Sequence, residues 1–247
     1  MKKREHKEIN FHNKEFTDRT RDKISSYYSI TRISTKFYID YLEQICGNKN
    51  LLELGCGPGY RSFQLSGFGA NVTSVDISDV AITQAKLIAE ENNSKKNTFK
   101  VMDVEELNFK NGSFDIVCGI SILHHLNLER VFVSIVKVLK TGGKAVFLEP
   151  FGHNPFINLY RKLTPKLRTE DEHPLHIKDI DIAKKYFSSV QLHYFHIFTF
   201  FAIPFRRFNI FDSLLKILYD FDTLLLKIFP FLKKYAWIGI IILSKSK

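Results

Sequence analysis

Cysteine is scarce in this chain of 247 residues. Cys46, Cys56 and Cys118 are widely spaced, odd in number and form no CxxC pair. That argues against a disulfide framework or a zinc site, so no metal ligands are expected, and it suits a reducing cytoplasm. A long apolar run is also missing. The longest uncharged stretch, Tyr186 to Phe205, contains Ser188, Ser189, Gln191, His193, His196 and Pro204, a poor composition for a membrane span. The opening MKKREHKEIN is charged with nothing apolar behind it, so no signal peptide is expected. Internal repeats and low-complexity tracts are absent, which excludes solenoid and fibrous architectures.

What is present is the composition of a folded chain, with 45% hydrophobic residues. The length suits one α/β domain over residues 1–247. The net charge of +10 is unevenly distributed. Residues 25–150 hold 13 basic and 13 acidic side chains, whereas 205–247 hold 8 basic and 3 acidic, and 1–24 hold 8 and 5. The basic flanks either solubilise the chain or meet phosphate on a lipid, a metabolite or a nucleic acid.

Short apolar runs alternate with helical patterns through the middle of the chain. Residues 33–46 carry helical spacing, as does Leu128–Lys140, which Thr141-Gly142-Gly143 is expected to end. Strands are expected at Leu51–Leu54, Asn71–Val75, Thr98–Met102, Phe114–Cys118 and Lys144–Leu148. Pro58 is expected in a first helical turn, and Ser78 as the cap of a helix running to about Glu91. This alternation predicts a doubly wound, Rossmann-like α/β fold. Further on, a helix is expected at Ile177–Phe187, and strands at Val190–Phe198 and Ala236–Leu243. Residues 1–24 read as a charged arm and 25–150 as a core. Residues 150–175 and 203–235 read as insertions.

The strongest chemical signal is Glu53-Leu54-Gly55-Cys56-Gly57-Pro58-Gly59. Glycines at a strand-to-helix turn let backbone amides approach a ligand, and the helix start favours a negative group. The nicotinamide fingerprint would need glycine where Tyr60 stands, and the Gly-Lys-Ser/Thr of a P-loop is missing. Asp76 ends the second strand 17 residues after Gly59, where a carboxylate can accept both hydroxyls of a ribose.

The E-x-G-x-G-x-G pattern resembles motif I of the class I S-adenosylmethionine-dependent methyltransferases. The wider resemblance covers about residues 45–150. It includes Asp76-Ile77, Asp103-Val104, Phe114-Asp115-Ile116-Val117-Cys118-Gly119-Ile120, Leu123-His124-His125-Leu126 and Leu139-Lys140-Thr141-Gly142-Gly143. It is closest in kind to the small-molecule branch that contains quinone-biosynthesis enzymes. The resemblance implies a mostly parallel seven-stranded sheet with its last strand antiparallel. It implies S-adenosyl-L-methionine held by Glu53, Gly55, Cys56, Gly57, Gly59, Asp76, Ile77, Asp103, Val104, Gly119 and Ile120. It also implies closure by an N-terminal helix bearing Tyr28. Packing and capping are the plain alternatives for each of these residues taken alone.

Methyl transfer from a sulfonium mainly requires alignment and exclusion of water. A base, if the acceptor needs one, is sought at His125, Glu149 or His153, after the fourth and fifth strands. His173, beside Asp171 and Glu172, reads as ordering its loop. The segment Phe211–Phe229 reads as an amphipathic helix. Its polar side carries Asp212, Lys216, Asp220, Thr223 and Lys227, and Phe211, Leu214, Leu215, Leu218, Phe221, Leu225 and Ile228 fill the other face. With 150–175 it would cap the acceptor side, as packing, as a lid or as a peripheral membrane contact through 206–233. A hydrophobic or amphipathic small molecule is the expected acceptor. An RNA methyltransferase is the first rival, favoured by net charge. Against nucleic acid, Gly119-Ile120-Ser121-Ile122 stands where an Asn-Pro-Pro-Tyr-like motif would sit, and no aromatic-basic module is found. A non-catalytic subunit that binds S-adenosylmethionine is the second rival.

Overall fold

The computed structural model describes residues 25–163 and 174–246. Helix α1 (Ser25–Cys46) leads into β1 (Asn50–Leu54), α2 (Tyr60–Gly67), β2 (Asn71–Asp76), α3 (Asp79–Glu91) and β3 (Asn97–Val101). Then follow β4 (Phe114–Ile120), α4 (Leu128–Val138), β5 (Leu139–Pro150), α5 (Pro155–Leu163) and the short α6 (Ile177–Ile180). The last elements are β6 (Ser189–Phe195), α7 (Phe211–Ile228) and β7 (Ile238–Ser244). Short 3-10 turns fill several connections, among them Thr199–Phe205 and Pro230–Tyr235.

One seven-stranded sheet runs in the order β3-β2-β1-β4-β5-β7-β6. The pairs from β3 through β5 are parallel, and β7 runs antiparallel to both β5 and β6. The doubly wound, Rossmann-like arrangement with an antiparallel last strand is therefore present, with helical insertions beside it. Parallel strands need both faces covered, and alternate side chains go to opposite layers. Leu52 and Leu54 join Phe132, Ile135 and Phe147 in the layer under α4. Leu51 joins Tyr38, Leu42, Val146 and Leu215 in the layer under α1 and α7.

Local chemistry explains the helix starts. Ser78 caps α3 by accepting the Ala81 amide at 3.1 Å, and Asn127 caps α4 by accepting that of Arg130 at 3.1 Å. Four expected boundaries are corrected. Pro58 lies before the cap of α2, because Gly59 takes the cap position at φ +82°. Helix α4 stops at Val138, and its capping residue Leu139 is already extended. Thr141-Gly142-Gly143 lies inside β5, where Gly142 (φ +74°) makes an irregular bulge against β4. The expected helix over Ile177–Phe187 is broken into α6 and a 3-10 turn, Asp181–Lys185. The strand expected to Phe198 ends at Phe195, because His196 turns left-handed at φ +67°.

Helix α7 carries three stripes rather than two. At about 100° per residue, Phe211, Leu215, Asp222 and Leu226 share the buried face, and Asp212, Lys216, Asp220, Thr223 and Lys227 the charged one. Ile217, Phe221, Leu224 and Ile228 make a third stripe that is exposed, from 49% at Phe221 to 64% at Ile217. The single apolar face expected opposite the charged one is thus divided, with Phe221 and Ile228 on an exposed stripe apart from Phe211 and Leu215. Asp222 takes the inner position because the backbone beneath it needs an acceptor. Its carboxylate receives the amides of Ile197 and Phe198, at 2.9 Å each.

Candidate functional site: a glycine turn beside three carboxylates

At the carboxyl edge of β1 the chain must turn sharply into α2. Gly55, Gly57 and Gly59 all have positive φ, from +53° to +82°, a region costly for side-chain-bearing residues. A Cβ on Gly59 would also lie 2.7 Å from the Phe99 ring, so α2 seats against β3 only with glycine there. The amides of Gly55 and Cys56 bond to the Val75 carbonyl, at 2.8 and 3.2 Å, which ties the turn to β2.

Asp76 completes this tie. Its Oδ2 accepts the Gly57 amide at 2.8 Å and its Oδ1 the Ser78 amide at 2.9 Å. Each oxygen keeps a second lone pair, and the residue sits at the strand end facing the turn. Glu53, one strand position before the turn, is buried and accepts from the Ser62 hydroxyl, with the Ser74 hydroxyl 3.2 Å from the same oxygen. Burial pushes its carboxyl above the usual range, opposed by the Ser62 hydrogen bond. Burial, reinforced by Glu53 and Asp76, also pushes the Cys56 thiol up, so it stays protonated. Asp103 follows β3 and accepts the Glu105 amide at 2.8 Å, and Val104 beside it is buried. Ile77 follows Asp76 directly, and Gly119 and Ile120 close β4. The candidate cofactor residues on β1, β2, β3 and β4 thus lie along one edge of the sheet. Tyr28 lies in α1, and its side chain is outside the described residues.

After β4 the backbone turns through Ser121 at φ +53°, a left-handed conformation outside glycine. Glu149, near the end of β5 and fully buried, holds this turn. Its Oε1 accepts the amides of Ile122 and Leu123, at 2.8 Å each, and its Oε2 lies 2.8 Å from His124 Nδ1. Both oxygens face the protein interior. His125 is half-buried with its ring 4.2 Å from that of His124.

His153 follows β5 and is half-buried, its ring 4.4 Å from that of His176. Burial and then His176 lower the basicity of His153, with Asp179 opposing and Lys178 and Lys234 adding to the fall. The next residue, Asn154, is buried and accepts the amides of Phe156 and Ile157 while donating to the Tyr235 carbonyl at 2.8 Å. The two insertions are joined there. His173, with Asp171 and Glu172, lies outside the described residues. Among the described residues no group of three or more His, Cys, Asp or Glu is placed to hold a metal ion.

Sequence reading missed four parts of this arrangement: Ser62 and Ser74 behind Glu53, the His176 partner of His153, and His196. His196 is fully buried between Ser34 Oγ at 2.9 Å and Thr199 Oγ1 at 3.0 Å, and burial pulls its pKa down to about 3. Only the Ser62 contact carried a local signal, a hydroxyl in the first turn after the glycines.

A doubly wound sheet with an antiparallel last strand and an acidic-glycine turn after β1 is the architecture of the class I methyltransferases. Residues 52–147 match the family described as methyltransferase domain. The matched stretch runs from β1 into β5 and includes the glycine turn, Asp76 and Asp103. It is 35% identical over 121 residues to the ubiquinone biosynthesis O-methyltransferase of Dechloromonas aromatica, covering 47% of this chain and 51% of that protein. To the enzyme of the same name from Nitrosomonas europaea it is 31% identical over 130 residues, covering 49% and 53%. The chain thus spans about half the length of the curated relatives it matches. Among solved structures it resembles Haemonchus contortus phosphoethanolamine N-methyltransferase 2, bound to phosphomonomethylethanolamine and S-adenosylhomocysteine. There the TM-score is 0.67 at 20% identity, over 95% of this chain and 61% of that one. At that identity the likeness concerns the fold.

The family's cofactor is S-adenosylmethionine, and the donor set fits it. Backbone amides at a glycine turn suit a carboxylate, and carboxylates on neighbouring strand ends suit a diol and an amine.

Proposed function

We propose that this protein transfers a methyl group from S-adenosyl-L-methionine to a hydrophobic or amphipathic small molecule. The observation that carries the reading is the Gly55–Gly59 turn laced to Asp76 on the neighbouring strand, with Asp103 one strand further along the same edge. In this reading the turn amides receive the amino-acid end of the cofactor, Asp76 takes the ribose hydroxyls and Asp103 the adenine amino group. Ile77, Val104, Gly119 and Ile120 would line the cofactor along the same strand ends. When bound, the cofactor supplies an already activated methyl group.

The chain's own work is then alignment, exclusion of water and proton handling. Glu149 acts as a positioning residue, because both of its oxygens hold the Ser121–His124 turn. His153 is the base of choice: its lowered basicity keeps it neutral near pH 7, able to take a proton from an acceptor hydroxyl. His125 is the second candidate. An oxygen acceptor of quinone-precursor type agrees with the names of the 31–35% identical relatives. We place the enzyme in the cytoplasm; among the described residues no helix is long and apolar enough to cross a membrane.

Calorimetry with S-adenosylmethionine and with its demethylated product tests cofactor binding. Transfer of labelled methyl into the lipid, aqueous and RNA fractions of a cell extract tests the acceptor. Label in the lipid fraction is expected. Label confined to RNA would replace the small-molecule reading, and binding without transfer to any fraction would leave a cofactor-binding subunit.

A further inference from the structure

The outer surface of the insertions is apolar where solvent would favour polar groups. The third stripe of α7 does not end at the helix. Phe221 packs against the ring of Phe198 at 5.8 Å, Phe198 stacks on Phe201 at 6.2 Å, and Phe201 meets Phe156 of α5 edge-on at 5.8 Å. Phe221, Phe201 and Phe156 are each about half exposed, at 49%, 54% and 48%. A continuous apolar face therefore crosses from α7 to α5. Contiguous patches of this kind mark interaction surfaces.

Among the described residues, the cations near the exposed phenylalanines in sequence carry no ion pair. Arg206 and Arg207 stand between the exposed Phe205 and Phe208, and Lys233 and Lys234 follow the exposed Phe231. Asp212 and Asp220, by contrast, are already paired, with Arg32 and Lys216. An anionic partner is thus matched and a second copy of the same basic face is not. The exposed side chains of the α7 stripe are Phe, Leu and Ile. They lack the Tyr, Trp and Arg anchors that dominate specific protein interfaces, and resemble the apolar side of an interfacial helix.

We propose that this face docks peripherally on an anionic lipid bilayer. The α7 stripe and its phenylalanine chain would enter the interfacial layer, while Arg206, Arg207, Lys233 and Lys234 meet lipid phosphates. Docking does not depend on methyl transfer, so its test reads binding alone.

The full chain is sedimented with vesicles of phosphatidylcholine, and with vesicles containing about one-third phosphatidylglycerol. Binding to the anionic vesicles is expected, weakened by salt and much lower on the neutral ones. The double variant Phe221→Ser/Ile228→Ser should bind on the order of tenfold more weakly. Both residues are only about half exposed, so its melting temperature should fall by a few degrees at most, with the fold retained. Arg206→Gln/Arg207→Gln, in an exposed turn, should reduce the preference for anionic vesicles. A parent protein that stays in the supernatant at low salt overturns the proposal. So does unaltered binding by both variants. A concentration-dependent dimer in sedimentation velocity, lost in Phe221→Ser/Ile228→Ser while vesicles go unbound, reassigns the face to self-association.

Discussion

The two halves of the sheet face the same task, a strand that must stop and turn, and they use different chemistry. Around β1, β2 and β3 the turn is made of glycines, and Asp76 accepts two amides while remaining at the sheet edge. Around β5, β6 and β7 buried carboxylates hold backbone amides outright: Glu149 holds the turn after β4, and Asp222 the turn after β6. Exposure separates the two uses, with Asp76 at 8%, Glu149 at 0% and Asp222 at 1%. A carboxylate at the edge keeps capacity for a ligand; one sealed inside spends its capacity on the chain.

Substitutions should reproduce that division. The largest effect is expected from Glu149→Ala, which strands two amides and His124; denaturant unfolding should show a loss of about 3–5 kcal/mol. Glu149→Gln keeps an oxygen for the two amides and should recover much of it. Asp222→Ala should cost about 2–4 kcal/mol by the same measurement, with the cofactor dissociation constant nearly unchanged. An equal loss of cofactor affinity would erase the distinction between the halves. Asp76→Ala should lose stability as well, since it strands the Gly57 and Ser78 amides, but it should also weaken cofactor binding in calorimetry by about 1–3 kcal/mol.

A further effect is set by pH and develops only in acid. His196 is neutral when folded, with its pKa near 3, against about 6.5 in the unfolded chain. A depressed folded pKa means that stability is complete above the unfolded value and is lost as pH falls towards the folded one. The loss should be about 1.4 kcal/mol per pH unit between roughly pH 6 and 3. His196→Gln should flatten this part of the curve relative to the parent, and an unchanged slope would assign the acid sensitivity to other groups.

Legibility differed between the halves for a physical reason. Glycines with positive φ, strand-ending carboxylates and apolar runs are local, so the Gly55–Gly59 turn, Asp76 and the alternation of strands with helices could be anticipated from spacing. The partners of Glu149 lie 25–27 residues away, and Asp222 lies 25 residues from Ile197, so no local pattern announces those bonds. The α7 helix itself was evident from its periodicity. Which of its apolar stripes faced inward was not, because a charged Asp222 stands on the inner face and Phe221 on the outer. Helix ends were misplaced where an irregular strand took over, as at Leu139, rather than a glycine cap.

The position of β7 bears on how the chain is made. Strand β6 pairs with β7, which comes some forty residues later and lies between it and β5. During translation β1 to β5 can assemble as they emerge from the ribosome. β6 must wait, with its edge unpaired, until α7 and then residues 238–244 have been synthesised. Any nonsense change upstream of Ile238 would therefore cost two strands rather than one.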